Sequence, residues 1–541
     1  MWSACCPCFR TKQTSNGLYE PLLLEKEREA VNDLLEFLQK TEGEANITDE
    51  RLQALCTLTY SENVDLQRSA ALCFSEISEK LTTPIDESIL EPILSLIQSQ
   101  DTEVQSAASV ALSNFALIGP VANKEVIVRC GALRPLVALL SSSNVDVQCN
   151  ACGCMTTLAT SETTKRMIVV EGAVGPLLRL ARSRDPRVQR NATGTLLNLT
   201  HLDVNRFELA RFGAIPVFIG LLQSRDCDVQ YYCAAALSNM AVHAEHRVLM
   251  TQIGGGDVVR YLISLLSIGI DKVKCQSCLA LRNLASDGST QMQIVEAGGL
   301  KAIHPLLNAT DVECQTAAIA ALRNLSIHKD NAVAIVRENF LADFCVLLGN
   351  DNEPEIQCHT AGTLRNLATE DLKDSILNSG CLKTLATVLL SANESSIVQS
   401  EASAALAVLA ANVKCQEAIV GFHDGRFIQV VMEMAMNHGS EDVRYNCLGI
   451  IGHLALNVNT HKTLLSCRPS VLDVIDVFLK SSEISHVHIG MWATCHLSEG
   501  AEETKTLIKQ AKGFEMILKW SGDDAVPEVR QLAETIIKNI K

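Results

Sequence analysis

Apolar positions along this chain fall at helical spacing, in blocks that return every forty or so residues. Val229, Cys233, Ala236, Leu237 and Met240 lie three or four apart and share one helix face. No segment keeps a two-residue alternation long enough to propose a strand. The block has a signature: an apolar residue followed by Gln at its start, then Asn and an apolar residue ten positions on. It reads Val104-Gln105 to Asn114, Val188-Gln189 to Asn198-Leu199, and Val229-Gln230 to Asn239-Met240. It continues as Val273 to Arg282-Asn283-Leu284, Cys314-Gln315 to Arg323-Asn324-Leu325, and Ile356-Gln357 to Arg365-Asn366-Leu367. Degenerate copies begin at Leu66, Val147, Val398 and Val443, a weak one lies near Val487, and a last one runs from Val529 to Asn539. Successive starts step by 38 to 45 residues, which makes twelve copies with a period near 42.

Each copy predicts three helices, for example Asn123 to Cys130, Leu133 to Leu140 and Val147 to Ala159. Gly131, Gly172, Gly213, Gly298 and Gly380 share one slot between the first and second, where a glycine lets the chain turn sharply. Pro135, Pro176 and Pro216 follow in a helix's first turn, where the missing N–H removes no bond. Three helices of this size cannot cover their own apolar faces, but stacked copies can. The period and the three-helix unit predict an all-α armadillo-repeat solenoid, a right-handed superhelix of about twelve repeats over residues 25–541. Residues 27–40 read as an N-terminal cap helix with Leu34, Leu35 and Leu38 inward, and the last repeat covers about 500–541. Residues 1–24 stand outside the pattern as a flexible Cys-rich segment.

Composition narrows the function classes. Of 541 residues 47% are hydrophobic and 20% charged, a balance that supports a large core. With 46 Lys and Arg against 62 Asp and Glu the formal charge is −16, which argues against binding to nucleic acid. No apolar run reaches the roughly 18 residues of a spanning helix, and no signal peptide is visible, so the body is expected in the cytosol. Most of the 21 cysteines sit singly in apolar helical stretches, as Cys233, Cys278 and Cys447 do, and read as reduced core thiols.

The candidate binding residues lie on the third helices, which line the concave face of such a solenoid. Asn198, Asn239, Asn283, Asn324 and Asn366 occupy one slot, and a carboxamide can bond both the C=O and the N–H of an extended peptide. The competing role for these Asn is a bond to a neighbouring turn. Arg282, Arg323 and Arg365 precede the last three, a local charge reversal in an acidic chain. Their planar forks suit carboxylate or phosphate, so acidic or phosphorylated segments are the expected ligand. The alternative is that they are solvated or paired within the chain. Basic signals are disfavoured: nuclear-import adaptors of this fold place Trp four residues before the Asn, and here those positions are Gly194, Ala235, Leu279, Ala320 and Gly362. Only Trp492, four before His496, has that relation.

The N-terminal run Met1 to Lys12 holds Cys5, Cys6 and Cys8 beside Trp2, Phe9, Arg10 and Lys12. Aromatic and basic residues favour an anionic lipid interface, and thiols there are candidates for S-palmitoylation. Several acyl chains anchor stably where one does not. No metal site is expected: Cys149, Cys152 and Cys154 have no partner His nearby, and His243 and His246 lack the metalloprotease Glu. Gly254-Gly255-Gly256 follows no strand, which speaks against a nucleotide loop. No catalytic set stands out, so neither an enzymatic activity nor a cofactor or small-molecule substrate is expected.

Several segments exceed the generic repeat: Glu27-Arg28-Glu29-Ala30-Val31, Leu66-Gln67-Arg68-Ser69-Ala70-Ala71-Leu72, Glu355-Ile356-Gln357-Cys358-His359, Leu364-Arg365-Asn366-Leu367-Ala368 and Val398-Gln399-Ser400-Glu401. In these the chain closely resembles the vacuolar protein 8 family, best over residues 25–420. The resemblance implies a lipid-anchored adaptor on the cytosolic face of the vacuolar membrane, or of a lysosome-related one. It implies a groove that engages partners in vacuole inheritance, organelle contact and autophagy through arginines matching Arg282, Arg323 and Arg365. That family begins Met-Gly and is myristoylated on the glycine. Here Trp2 stands instead, so the anchor is expected at Cys5, Cys6 and Cys8. The alternative function is a soluble armadillo interaction protein of a junctional, ciliary or ubiquitin pathway.

Overall fold

The blocks of helical periodicity are helices in the computed structural model, which describes residues 24–40, 47–81, 83–349, 353–391, 395–522 and 525–541. Among these residues there is no strand. The chain divides into two compact units, one ending at Tyr261 and the other beginning at Leu262. The first unit holds the third helices of repeats one to five: Val64–Lys80, Thr102–Leu117, Val145–Leu158, Pro186–Thr200 and Cys227–Met240. The second holds those of repeats six to twelve: Asp271–Leu284, Val312–Leu325, Pro354–Leu367, Ser396–Leu409, Glu441–Ala455, Ile484–Leu497 and Pro527–Ile540. Within each unit every third helix packs on the next. This is an all-helical armadillo-repeat solenoid.

The residue that opens each copy is the anchor of its repeat. From Leu66 through Val104, Val273 and Ile356 to Val529, all twelve are buried. Polar side chains then close the joints between helices. Asp101, Asp185 and Asp226 cap the third helices of repeats two, four and five, each carboxylate accepting two backbone N–H bonds. The Gln after the anchor reaches back to the preceding loop: Gln105 Nε2 donates to the Ser99 carbonyl at 2.7 Å, Gln230 to Ser224 at 2.8 Å and Gln357 to Gly349 at 2.9 Å. The first helices contribute another set, in which Gln291, Asn331 and Gln416 donate to the carbonyls of Ala285, Leu325 and Ala410. Carbonyls left over at the third-helix ends thus find donors, as buried backbone requires.

Gly131, Gly172, Gly213, Gly298 and Gly380 all have φ between 81° and 88°, the left-handed turn expected of them. Asn339 fills the same slot at φ 66°, the role sequence reading had not given it, and Asn is the side chain that tolerates this region best. Cys233, Cys278 and Cys447 are free and fully buried, and burial pushes the Cys447 thiol up to about 12. The first helix runs Glu25–Lys40 with Leu34 buried, while the side chains of Leu35 and Leu38 lie outside the described residues. On the helix Pro527–Ile540, Glu528, Gln531, Glu534 and Lys538 are exposed.

Leu364 is fully buried in the eighth repeat. Replacing it with Ala is expected to destabilise the protein by about 2–5 kcal/mol, read as a lower midpoint in chemical denaturation. An unshifted midpoint contradicts the packing described.

Candidate peptide-binding site

The Asn slot recurs at the C-terminal end of successive third helices, and in each described case the amide is half-buried. Its Nδ2 group turns back to the preceding repeat. Asn198 donates to the Thr156 carbonyl at 3.2 Å and Asn239 to Thr200 Oγ1 at 2.9 Å. In the second unit Asn324 donates to the Arg282 carbonyl at 2.9 Å, and Asn366 to the Arg323 carbonyl at 3.0 Å and Ser326 Oγ at 3.1 Å. Asn283 is half-buried in the same slot. The slot therefore has a structural duty: one amide donor staples adjacent third helices. The Oδ1 atoms of Asn198, Asn239, Asn324 and Asn366 enter no hydrogen bond among the described residues, so acceptor capacity is left for a ligand.

The three arginines are brought onto adjacent helices of one unit but are not equivalent. Arg323 pairs through Nη2 with Glu401 Oε1, and Arg365 Nη1 lies 3.0 Å from Glu401 Oε2. One carboxylate from the ninth repeat thus bridges guanidinium groups of the seventh and eighth. No ion pair engages Arg282 among the described residues. Arg323 Nη1 also donates to His359 Nδ1 at 3.4 Å. Burial first, and then the charge of Arg323, depress the His359 pKa, so this ring accepts as a neutral base. The three arginines are thus unequal: two share an internal anion, and Arg282 has none among the described residues.

Glu401, Gly362 and His359 belong to this site, and sequence reading gave none of them a role in it. Glu401 carried a signal. It sits three residues after the anchor of its copy, where the other copies hold Ser69, Ala107, Asn150, Asn191, Tyr232, Gln276, Ala317, His359, Asn446, Gly490 and Leu532. A lone carboxylate in an otherwise uncharged or histidine slot, two copies after Arg323, marks a partner for it. Gly362 matters through what it lacks: a Cβ there would lie 2.7 Å from Arg323 Cζ and Nε. The guanidinium passes over the eighth repeat through that gap.

The remaining candidates fall elsewhere. Trp492 has ring centroids of His453 and His496 at 5.0 and 5.2 Å, near perpendicular, and covers Gly452. Cys152 and Cys154 are buried, and Cys149 Sγ accepts from Asn191 at 3.4 Å. No cluster of three His, Cys, Asp or Glu suited to a metal occurs among the described residues. Cys5, Cys6 and Cys8 lie outside the described residues.

The depressed His359 pKa has a consequence for stability. Below pH 6.5 the unfolded chain takes up a proton that folded His359 refuses, so stability falls as pH is lowered through that value. His359→Gln is expected to flatten the loss between pH 7 and 5 in thermal melts (range chosen about the ordinary imidazole pKa of roughly 6.5). An unchanged pH slope contradicts this.

Comparison with known proteins agrees with the architecture. The Armadillo/beta-catenin-like repeat family matches residues 85–117, 120–160, 161–201, 203–242 and 290–327. A solved structure from work on the phosphorylation switch between cadherin and beta-catenin superposes with a TM-score of 0.71, covering 90% of this chain and 99% of that one; at 13% identity it speaks for the fold alone. A crystal structure of an engineered protein covers 74% of this chain and 98% of its own length, at 29% identity and a TM-score of 0.67. Vacuolar protein 8 of Schizosaccharomyces pombe is 44% identical over 514 residues, 94% of this chain and 91% of that protein. Vacuolar protein 8 of Saccharomyces cerevisiae is 39% identical over 546 residues, 99% and 90% of the two chains. Identity of this order, over nearly the whole of both lengths, places the chain in the vacuolar protein 8 family of armadillo-repeat proteins.

Proposed function

We propose that this protein is a membrane-anchored adaptor whose third helices around Arg282, Arg323 and Arg365 receive an extended, acidic or phosphorylated segment of a partner protein. Its family is non-enzymatic, and armadillo repeats make it a protein-binding scaffold. The observation that carries the finer reading is three half-buried guanidinium groups on three consecutive helices, with Arg282 lacking an internal anion. Such a row attracts carboxylates or phosphates and repels a basic segment. The Asn slot adds unsatisfied Oδ1 acceptors beside the row, where the N–H groups of an extended backbone would run.

Anchoring rests on Cys5, Cys6 and Cys8 by S-acylation. Among the described residues no helix is long and apolar enough to cross a membrane. Two or more acyl chains supply stable attachment without one. Membership of the family supports, as part of this proposal, placement on the cytosolic face of the vacuolar or a lysosome-related membrane and roles in vacuole inheritance, organelle contact and autophagy.

Arg282→Ala is expected to weaken binding of a phosphoserine- or aspartate-rich peptide on the order of tenfold while leaving the melting temperature unchanged, since no internal anion loses its partner. Fluorescence anisotropy against wild type measures it, and equal affinity would remove Arg282 from the site. Replacing Cys5, Cys6 and Cys8 together by Ser is expected to move the protein from the membrane to the soluble fraction, and hydroxylamine is expected to release the wild type. Retention of the triple variant on membranes refutes acyl anchoring at these cysteines, and a wild type found only in the soluble fraction refutes membrane anchoring and leaves the soluble scaffold.

A further inference from the structure

Resting on the groove reading above, we infer that Glu401 is a built-in competitor that sets the groove's specificity: it fills the anion position between Arg323 and Arg365, and an acidic partner segment binds there by displacing it. The contact is long-range in sequence and local in space. Arg323 lies 78 residues before Glu401 and reaches it across the whole of the intervening eighth repeat. Its present path runs over Gly362, where a Cβ would meet the Arg323 guanidinium at 2.7 Å and force that side chain to shift. A helix-interior glycine is otherwise unfavourable compared with alanine; Gly194 fills the same slot in the fourth repeat beneath Tyr232, and in Pro354–Leu367 the open slot is crossed by Arg323.

Accessibility supports displacement over a sealed structural pair. Glu401 Oε2 is buried and has no hydrogen-bond partner among the described residues, so the carboxylate is incompletely held, while the side chains of Arg323 and Arg365 are 24% and 38% exposed and an incoming carboxylate can reach them. The chemistry of Glu401 is that of the expected ligand, one carboxylate across two guanidinium groups. A single ligand carboxylate that replaces it exchanges like for like, with little gain. A run of acidic groups gains more, because its first charge engages Arg282, which requires no exchange, and the tethered neighbours then compete at high local concentration. Glu401 thus discriminates against isolated acidic residues and in favour of acidic tracts aligned with the Arg row.

The test is titration of a fluorescein-labelled hexa-aspartate peptide, with hexa-asparagine as the control, into the full chain at low salt. Glu401→Gln keeps the shape and removes the charge. It is expected to tighten binding about tenfold, since two guanidinium groups no longer have an internal anion. Gly362→Ala keeps every charge, favours helix, and obstructs the Arg323 path to Glu401. It is expected to tighten binding in the same direction, and it decides the matter should Glu401→Gln prove unfolded in a thermal melt. Binding equal to or weaker than wild type in the folded variants overturns the inference, the weaker result showing that Glu401 holds the guanidinium groups in place for the ligand. If Arg282→Ala still weakens binding in that case, the groove reading survives alone. If no variant, nor the wild type, prefers aspartate to asparagine, the groove reading fails and this inference with it.

Discussion

The constraint on which the rest depends is that no single repeat can cover its own helices. A third helix of fourteen or so residues presents apolar side chains on more than one face, and only neighbours before and after it can bury them. This is why the anchor residue of every copy is buried. At several joints a helix-end carbonyl is met by a Gln, Asn or His donor at a repeating position. The amide ladder is one of these sets. Its residues are fixed by the stacking before any partner is considered, and binding capacity is what remains after the staple is made.

Much of the architecture was legible because the repeat states it many times over. Helical spacing, the glycine slot and the 42-residue period each recur often enough for a degenerate copy to be recognised from its neighbours. Asn339 shows the limit of that method: it takes the left-handed turn that glycine takes elsewhere, and only the backbone angle reveals it. The Asn and Arg slots were legible as positions, but the direction of each side chain was not. Whether an amide faces outward or bonds the preceding turn depends on a distance between two helices 42 residues apart, and periodicity is silent about it. Glu401 stood out as the one carboxylate of its slot, but its contact was not legible, for a related reason. Its partner lies two repeats away, a separation at which pattern reading looks for copies and not for contacts.

The arginine row illustrates how a repetitive scaffold acquires a particular site. Identical slots on three consecutive helices would make three equal cation positions. A single carboxylate in the ninth repeat and a single missing side chain in the eighth make them unequal. Arg282 keeps an uncompensated charge, whereas Arg323 and Arg365 divide one anion between them. His359, held neutral by burial and by the adjacent guanidinium, adds an acceptor without adding charge. The local field is therefore strongest at one end of the row, and a ligand meets it as a gradient.

A gradient of this kind separates attraction from commitment. Long-range attraction depends on net charge, and the row with its carboxylate stays positive by two in a protein whose total is −16. Close binding depends on which guanidinium groups are unoccupied, and there the internal carboxylate sets a threshold that a weak or short acidic segment does not cross. Both properties come from partly buried ions, where salt screens less than at the open surface and where an unpaired guanidinium is costly to leave. Glu401 Oε2 has no hydrogen-bond partner and Arg282 no ion pair among the described residues, so the internal pairing is incomplete and can be improved on by further charges brought to the row.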